Sequence, residues 1–473
     1  MKKRWMGAGG YGEVLKIAIP LILSMGSWSL KHFVDRVFLA WYSDDALAAA
    51  LPASMLSFSI GAFFLGTVGY VNTFVAQYSG AKRPERVGAV VWQGFYFAIA
   101  AGFVMMGLIP LSPWIFGMAG HEPNIKTLEI SYFQILCVGW IPLLGQQALS
   151  CFFTGRGDTR TVMWVSMASA VANIVLDYAW IFGNFGFPEW GIDGAGWGTV
   201  ASQTFEMLLY MILISKVRFR RDFNTWSSWR PDKELFRRIL RFGTPNGVQF
   251  FLEVFGFTIF VMIVGQLGRV ALAATNVTFN INTLAFLPMI GMGIAVSTLV
   301  GQYLGSEKPE IAVRATWSAI HLSSTYTGIM ALLFVFAPQI FVFAFESGAD
   351  PDTFPEIKAL TRILLRFVAA YCVFEAIYIA FSSTVKGAGD TKFVMYTTLA
   401  ASSSIVVLPV YVCVSVLGYG LFAAWFFASL YTIVMALLFY LRFRGGKWKT
   451  MRVIEATEGM GMEVGAERDV PAI

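Results

Sequence analysis

Long apolar runs alternate with short polar joints along most of the chain. Each run has about 20 residues or more, the length that an α-helix needs to cross the hydrocarbon core of a membrane. Twelve such runs are present, and several exceed about 25 residues, which predicts tilted helices or ends that protrude from the lipid. The predicted spans, numbered 1 to 12, are residues 14–40, 46–76, 88–112, 129–153, 161–184, 192–215, 241–267, 271–303, 312–340, 357–385, 393–417 and 419–441.

The composition indicates a membrane protein rather than a soluble one. Of 473 residues, 57% are hydrophobic and only 14% are charged, whereas a soluble domain carries about 25% charged residues. The formal net charge of +6 does not indicate a nucleic-acid partner, because the basic residues of membrane proteins collect on the cytoplasmic side. The sequence therefore predicts an all-α polytopic membrane protein, surrounded by the lipid bilayer.

The distribution of Lys and Arg predicts which side of the membrane each joint faces. If both termini are cytoplasmic, the inner segments hold 26 basic residues and the outer joints hold three, namely Lys126, Arg269 and Lys358. Such a bias places the basic joints in the cytoplasm. We therefore expect a multi-pass protein of the inner (cytoplasmic) membrane with both termini inside.

The two halves of the chain repeat each other. Most of the repeated motifs recur after 225 positions, and one recurs after 232. The repeated motifs are Ala46-Leu-Ala-Ala49 with Ala271-Leu-Ala-Ala274, Gln77-Tyr-Ser-Gly80 with Gln302-Tyr-Leu-Gly305, Pro20 with Pro245, Trp92 with Trp317, and Gly155-Arg-Gly-Asp-Thr-Arg160 with Gly387-Ala-Gly-Asp-Thr-Lys392. Since six spans form one repeat, both halves enter the membrane from the same side, and an axis along the membrane normal relates them. Two pseudo-symmetric six-helix lobes around a central cleft are typical of a transporter.

The repeat also predicts the domain organisation. Residues 1–215 form an N-terminal six-helix lobe, residues 216–240 a cytoplasmic linker and residues 241–445 a C-terminal six-helix lobe. Residues 446–473 become rich in Gly and Glu toward their end, and we expect them to form a disordered cytoplasmic tail.

Ionisable groups deep in a span are costly, so we expect them to serve a function. Asp35 in span 1, Asp177 in span 5 and Thr199 in span 6 lie roughly 8–11 Å below the outer surface, at 1.5 Å per residue. Asn173 precedes Asp177 by about one helical turn and projects from the same face. These oxygen-bearing groups can bind Na⁺, or the two carboxylates can share a proton. The alternative is that Asn173 and Thr199 make only interhelical hydrogen bonds.

Further acids lie deep in other spans. Glu253 in span 7 and Glu375 in span 10 lie at matching depth, and neither is a repeat copy of an N-terminal acid. We expect them to attract a cation, with hydrogen-bonded burial as the alternative. Glu206 in span 6 is expected to face a water cavity on the cytoplasmic side. Aromatic and Met side chains are abundant around the predicted cleft, which suits lipophilic cations.

The sequence contains no motif of a catalytic site. It has no Walker A motif, no HExxH and no GxSxG in a strand–turn–helix setting, so nothing supports an ATP-driven pump or a membrane hydrolase. The four cysteines lie in or beside apolar runs without CxxC spacing, which indicates reduced side chains rather than a metal site. We expect neither an enzyme nor a cofactor, apart from H⁺ or Na⁺ as a coupling ion.

These features together resemble the bacterial branch of the multidrug and toxic compound extrusion (MATE) family, over residues 12–445. The resemblance rests on the two six-helix halves, on Pro20 and the Val34-Asp35 pair of span 1, and on the Asn173-x-x-x-Asp177 spacing. The repeated Gln-Tyr-x-Gly and Gly-x-Gly-Asp-Thr motifs also belong to it.

The resemblance implies a secondary antiporter that exports amphipathic, cationic organic compounds in exchange for H⁺ or Na⁺. It also implies that the two lobes rock between outward-open and inward-open states. We expect the protein to act as a monomer on small-molecule substrates. The residues to which the resemblance assigns a cation site are Asp35, Asn173, Asp177 and Thr199 in the N-terminal lobe, and Glu253 and Glu375 in the C-terminal lobe.

Lys31 departs from the family pattern. It precedes Asp35 by four residues, so its ammonium group can pair with the Asp35 carboxylate. We expect this pair to modulate the cation site by weakening Na⁺ binding and favouring H⁺. The alternative is that Lys31 reaches the outer headgroups. Cation binding is expected to bend span 1 at a hinge near Pro20, and Pro245 and Pro409 are expected to bend their own spans.

Two other functions are alternatives to the antiporter. A flippase for lipid-linked oligosaccharides or peptidoglycan precursors belongs to the same wider superfamily, but such proteins more often have a strongly cationic cavity and additional spans. An ion channel, which is a different class, would have a filter-like segment and oligomeric symmetry. The acids at mid-depth and the twelve spans favour the antiporter.

Overall fold

Helices form all the regular structure in the described part of the chain. The computed structural model describes residues 2–118, 120–346 and 352–455, and the twelve long helices in these ranges are labelled α1 to α12 in chain order. Their bounds are Tyr11–Tyr42, Asp44–Gly80, Pro84–Met106, Pro123–Thr154, Thr159–Phe182, Ile192–Ile214, Lys233–Gly265, Arg269–Gly305, Pro309–Phe336, Phe354–Ala388, Thr391–Val416 and Leu421–Arg444. Eleven of them are long and apolar enough to cross a membrane, and α6 becomes the twelfth when it is counted with the short helix Val217–Phe223, which bends away from it by 68°. The predicted all-α class is confirmed.

Local chemistry explains where several helices begin. Pro84, Pro123 and Pro309 lie at the first turn of α3, α4 and α9, where the missing N–H of proline costs nothing. The Asp232 side chain accepts a hydrogen bond from the backbone N–H of Leu235 and caps the start of α7. This cap places the first turns of α7 inside the segment that the sequence predicts to be a linker.

The three prolines that the sequence predicts to bend their spans have different effects. The backbone remains α-helical through Pro20 in α1 and through Pro245 in α7. In α11, wide π-helical turns at Ser402–Val407 and Val412–Val416 flank Pro409. Because proline lacks an N–H and clashes with the preceding turn, the helix widens around it.

The helices pack into two lobes with one repeated arrangement. In the N-terminal lobe, α4 packs against α2, α3 and α6; in the C-terminal lobe, α10 packs against α8, α9 and α12. Likewise α1 packs along α5, and α7 along α11. Each of these pairs recurs after a shift of six helices, as the sequence repeat predicts. The two lobes meet where α1 and α2 contact α7 and α8.

The lobes share a hydrophobic core on one side only. On the side that contains Gly80 and Gly305, here called the closed side, one cluster of buried side chains runs through both lobes. On the side that contains Tyr42 and Gly265, here called the open side, the described buried side chains form clusters that each belong to a single lobe. A cleft between the lobes therefore opens toward the open side.

Two glycines permit the closest approach of the lobes on the closed side. A Cβ atom at Gly80 would overlap the carbonyl oxygen of Gln302, and a Cβ atom at Gly305 would overlap that of Gln77. Both glycines belong to the repeated Gln-Tyr-x-Gly motif. The motif therefore marks the crossing of α2 and α8, which requires a residue without a side chain.

Residues 446–455 pack against the closed side, whereas the sequence predicts the start of a disordered tail there. Trp448 is fully buried, and the backbone N–H of Val453 donates to Gln77 Oε1 at 2.8 Å. The prediction is wrong for this segment because composition does not reveal partners on distant helices. Residues 456–473 lie outside the described part of the chain.

Glu455 joins several elements of the closed side. Its carboxylate accepts hydrogen bonds from Arg83 and Arg238 at 2.8 Å each and from the Tyr78 hydroxyl at 2.7 Å, and Arg86 lies 3.3 Å away. The backbone N–H and the neighbouring arginines and tyrosine hold the pKa of this carboxyl group below its usual value despite its partial burial. Glu455 thus links α2 and α3 of one lobe to α7 of the other.

Candidate functional site

The structure brings the predicted acids of the N-terminal lobe together. Asp35 lies seven residues before the end of α1, and Asp177 lies five residues before the end of α5, both toward the open side. Because α1 and α5 pack along each other, the two carboxyl groups interact electrostatically. Only 6% of the surface of Asp35 and none of that of Asp177 is exposed. Asn173, one turn away on α5, is buried as well.

Several polar atoms of this group have no hydrogen-bond partner among the described residues. They are both carboxylate oxygens of Asp177, Oδ1 of Asp35 and the amide nitrogen of Asn173. A buried carboxylate without a partner costs on the order of several kcal/mol. The N-terminal lobe therefore contains carboxylate oxygens in a position to take up a proton or a cation.

Helices α4 and α6 complete this pocket. Tyr132 on α4 is buried and faces the Asp35 carboxyl group. On α6, Gly198 lies so close to Asp177 that a Cβ atom would overlap the carboxylate. The next residue, Thr199, is half-buried, and its carbonyl oxygen accepts a hydrogen bond from a serine of the following turn. The sequence singles out Thr199 but misses Tyr132 and Gly198, since only the packing of α4 and α6 brings these two residues to the acids.

The sequence predicts that Lys31 pairs with Asp35, but in the structure Lys31 pairs with another acid. Its Nζ lies 3.9 Å from Glu206 Oε2 and donates to Ser169 Oγ at 3.4 Å. Side chains on a helix point back toward its N-terminus, which here is the closed side, so Lys31 is directed away from Asp35 and toward the level of Glu206. The ammonium group still interacts electrostatically with Asp177 on α5.

Glu206 on α6 is held by groups from three other helices. Besides Lys31 on α1, the hydroxyl of Ser166 on α5 donates to its Oε1 at 3.2 Å. On α4, the amide nitrogen of Gln146 donates to both carboxylate oxygens at 2.7 and 3.2 Å, in the amide orientation that this carboxylate selects. Ser24 on α1 donates in turn to Ser166 at 2.8 Å. The sequence predicts a water cavity around Glu206; the structure instead buries it in a polar network.

The predicted acids of the C-terminal lobe also come together. The Tyr378 hydroxyl donates to Glu253 Oε1 at 2.6 Å, and Glu253 interacts electrostatically with Glu375. Oε2 of Glu375 is buried without a hydrogen-bond partner among the described residues. Nearby on α8, the amide of Asn282 donates to the Tyr371 hydroxyl at 3.5 Å. The alternative of fully hydrogen-bonded burial therefore fits Glu253 better than Glu375.

Lys386 adds a basic group to the C-terminal lobe. The sequence predicts that it lies in a cytoplasmic joint, just after span 10. In the structure it lies within α10, donates to Gln249 Oε1 at 3.3 Å and interacts electrostatically with Glu253. Each lobe thus contains a lysine that faces buried acids, Lys31 in one and Lys386 in the other.

Aromatic rings also lie on α7, where Phe250, three residues before Glu253, shares a face with that acid, whereas Phe251 and Phe255, two residues away on either side, do not. The Phe251 and Phe255 rings stack at 5.5 Å on α7, and Phe255 is 46% exposed. Phe250 on the same helix contacts Phe58 on α2, with ring centroids 6.2 Å apart, and so bridges the two lobes. Aromatic faces next to carboxylates can bind a flat cation.

Comparison with known proteins agrees with this architecture. The MatE family model matches residues 20–179 and again residues 245–412, and the two matches begin one repeat apart. The probable multidrug resistance protein NorM of Thermotoga maritima is 27% identical over 447 residues, which cover 93% of this chain and 94% of NorM. The multidrug resistance protein PmpM of Pseudomonas aeruginosa is 26% identical over 392 residues, 82% of this chain and 81% of PmpM.

A solved structure of similar fold supports the arrangement of the lobes. It is described as the outward-facing conformation of a multidrug resistance MATE family transporter, and it has 21% sequence identity and a TM-score of 0.84. The match covers 94% of this chain and 98% of that one. Because the family model matches most of the chain, twice and in register with the repeat, this protein belongs to the MatE family of multidrug resistance transporters and is not an enzyme.

Proposed function

We propose that this chain is a proton-coupled antiporter that exports amphipathic, cationic organic molecules. The observation that carries the proposal is the pair of buried acids Asp35 and Asp177 next to a cleft that is open on one side: Oδ1 of Asp35 and both carboxylate oxygens of Asp177 have no hydrogen-bond partner among the described residues. Such acids can hold a proton on one side of the membrane and release it on the other when the lobes move.

The proposed orientation is outward-facing. Lys82, Arg83 and Arg156 lie in joints on the closed side, and the positive-inside rule places such joints in the cytoplasm. The cleft then opens to the outside, and both termini and the linker are cytoplasmic. The protein works in the inner membrane as a monomer, since the cleft lies between two lobes of a single chain.

The proposed coupling ion is H⁺. Although Lys31 pairs with Glu206, its ammonium group also faces Asp177. A Na⁺ ion at the aspartates would need a shell of oxygen ligands beside that ammonium group, whereas a proton needs only one carboxylate oxygen. Two adjacent buried carboxylates can share one proton. Na⁺ bound by the four N-lobe residues is the alternative that the experiment below separates.

The C-terminal lobe contributes the substrate site in this proposal. Glu253 and Glu375 provide negative charge, while Phe250 and Phe58, which meet between the two lobes, provide apolar rings at the cleft. A cation in a low-dielectric cleft is attracted by such carboxylates, and its apolar part packs on the rings.

The transport cycle follows from the different affinities of the two states. In the outward-facing state, Asp35 and Asp177 take up a proton as substrate leaves; α1 then changes shape near Pro20, and the lobes close outside and open inside. Proton and substrate can shift this equilibrium only to the extent that each binds one state more tightly.

Ethidium efflux from proteoliposomes under separately imposed gradients tests the proposal. We expect a pH gradient alone to drive efflux and a Na⁺ gradient alone to leave the leak rate unchanged. If folded protein in the same vesicles shows no efflux under either gradient, the proposal of an antiporter is contradicted. Efflux driven by Na⁺ alone would contradict the coupling ion.

A further inference from the structure

Glu206 is a buried acid to which the proposed cycle gives no role. It lies on α6 about 21 Å from the open end of that helix, at 1.5 Å per residue, and 5% of its surface is exposed. Its carboxylate pairs with the Lys31 ammonium group and accepts hydrogen bonds from the Ser166 hydroxyl and the Gln146 amide. Three elements therefore converge on one charge that lies deeper than Asp35 and Asp177.

We propose that Glu206 is a positioning residue that holds the Lys31 ammonium group away from Asp177, so that the cation site of the N-terminal lobe remains available. This inference rests on the proposed function of Asp35 and Asp177. It adds an internal competitor, Lys31, and a residue that keeps the competitor in place.

The geometry places Lys31 between two acidic neighbours. On α6 it pairs with Glu206 at 3.9 Å, and on α5 it faces Asp177, whose two oxygens have no partner among the described residues. On its own helix, His32 interacts electrostatically with the Lys31 ammonium group, and Asp35 lies one turn further along. Ser169 accepts a hydrogen bond from the ammonium group at 3.4 Å and supports its present position.

The consequence of losing Glu206 follows from this arrangement. If residue 206 carries no charge, Asp177 is the carboxylate with which the Lys31 ammonium group still interacts electrostatically. A lysine in place at Asp177 would occupy the site that the coupling proton needs. Removal of both charges frees Asp177 again, because no internal cation remains to compete for it.

Transport by three variants tests this relation. We expect Glu206→Gln to lower the initial rate of ethidium efflux at least tenfold. The double variant Lys31→Met with Glu206→Gln should regain a rate within threefold of Lys31→Met alone. Glu129→Gln is the matched control, since Glu129 is a fully buried acid of the same lobe that pairs with His121 at 2.8 Å and not with Lys31. Normal efflux by Glu206→Gln, or a double variant as slow as Glu206→Gln, would overturn the inference.

A stability measurement separates this inference from the proposed function, because it needs no transport. In detergent, we expect Asp177→Asn alone to leave the Tm unchanged or to raise it, since the substitution removes an unpaired buried charge. In the Glu206→Gln background the same substitution should lower the Tm by several degrees, since Lys31 then depends on Asp177. Equal effects in both backgrounds would overturn the inference, whereas failure of the unsubstituted protein to move ethidium would overturn the proposed function instead.

Discussion

Gln77 and Gln302 make equivalent hydrogen bonds across the interface between the lobes, each from its own lobe to the other. The amide of Gln77 in the N-terminal lobe donates to the carbonyl oxygen of Gly387 at 3.0 Å, and the amide of Gln302 in the C-terminal lobe donates to that of Gly155 at 2.8 Å. The two glutamines are repeat partners, and the two glycines begin the repeated Gly-x-Gly-Asp-Thr motifs. The repeated motifs of the sequence are therefore the two halves of one symmetric seal on the closed side.

Loss of this seal should open the closed side. We expect the double variant Gln77→Ala with Gln302→Ala to favour the inward-open state, because each of these side-chain hydrogen bonds contributes about 1 kcal/mol to the closed arrangement. Together the two bonds change the ratio of states about tenfold or more. Ser297 is half-buried beside Gly387. A cysteine introduced there, in a variant that lacks the native cysteines, should react faster with maleimide when the closed side opens.

A glutamine within one lobe provides the control for the seal. Gln134 donates to Ser112 at 2.9 Å inside the N-terminal lobe, so Gln134→Ala removes a similar bond without touching the seal. Labelling that rises as much in Gln134→Ala as in the double variant would show that general destabilisation, and not the seal, exposes the cysteine.

Glu455 should support the same closure through charge. We expect Glu455→Gln to lower the Tm by several degrees at neutral pH, because Arg83 and Arg238 lose their shared carboxylate. The folded pKa of this group lies below its usual value, so its contribution is fully present above the usual range of Glu and disappears as the pH falls through the depressed pKa. The Tm difference between the two proteins should therefore persist from neutral pH down to the usual range of Glu and vanish only below it.

An exposed acid of the same side is the comparison for Glu455. Glu310 pairs with Lys449 at 3.3 Å, and its side chain is 80% exposed, so Glu310→Gln should change the Tm by less than about 1 °C. Similar Tm losses in both variants would mean that Glu455 acts only as one more surface charge.

Asp35→Asn and Asp177→Asn should each reduce ethidium efflux at least tenfold while the protein still folds. The reason is that an amide can neither take up nor release the coupling proton. Asp193→Asn is the matched control, because Asp193 lies in the same lobe and accepts a hydrogen bond from Ser131 at 2.6 Å. Transport above half of the normal rate in both aspartate variants would contradict the N-terminal site.

Glu253→Gln and Glu375→Gln should weaken the export of cationic substrates more than that of neutral ones. Each substitution removes a counter-charge from a low-dielectric cleft, which costs a cation on the order of a few kcal/mol. Initial rates for a cationic and a neutral dye in the same vesicles measure the difference. Glu346→Gln, an acid of the same lobe that pairs with Lys358, serves as control. Equal losses for both dyes would assign the glutamates to coupling or structure.

The sequence predicts those features that depend on spacing within one helix or on the repeat. Asn173 and Asp177 share a face because they are four residues apart, and Gln77 and Gln302 are recognisable because the repeat aligns them. The partner of Lys31 was predicted wrongly, because spacing along α1 favours Asp35 and cannot reveal that α6 brings Glu206 alongside. The same limit applies to contacts that join three or more helices.

Glu455 and Tyr132 illustrate that limit. Glu455 falls in a segment of unremarkable composition, yet its carboxylate meets Arg86 on α3 and Arg238 on α7, which are far apart in sequence. Tyr132 is one of many aromatic residues in the spans, and only the packing of α4 beside α1 brings it to face Asp35. Polar groups of this kind are recognised from packing, not from pattern.

The most direct test of proton-coupled export is the movement of protons that a substrate gradient alone produces. Proteoliposomes with a trapped pH-sensitive dye, equal pH on both sides and no Na⁺ are given a sudden gradient of a cationic substrate. We expect protons to move against the direction of the substrate, and this movement to be absent in Asp35→Asn and Asp177→Asn. Substrate movement without any proton movement in the unsubstituted protein would contradict the proposed coupling.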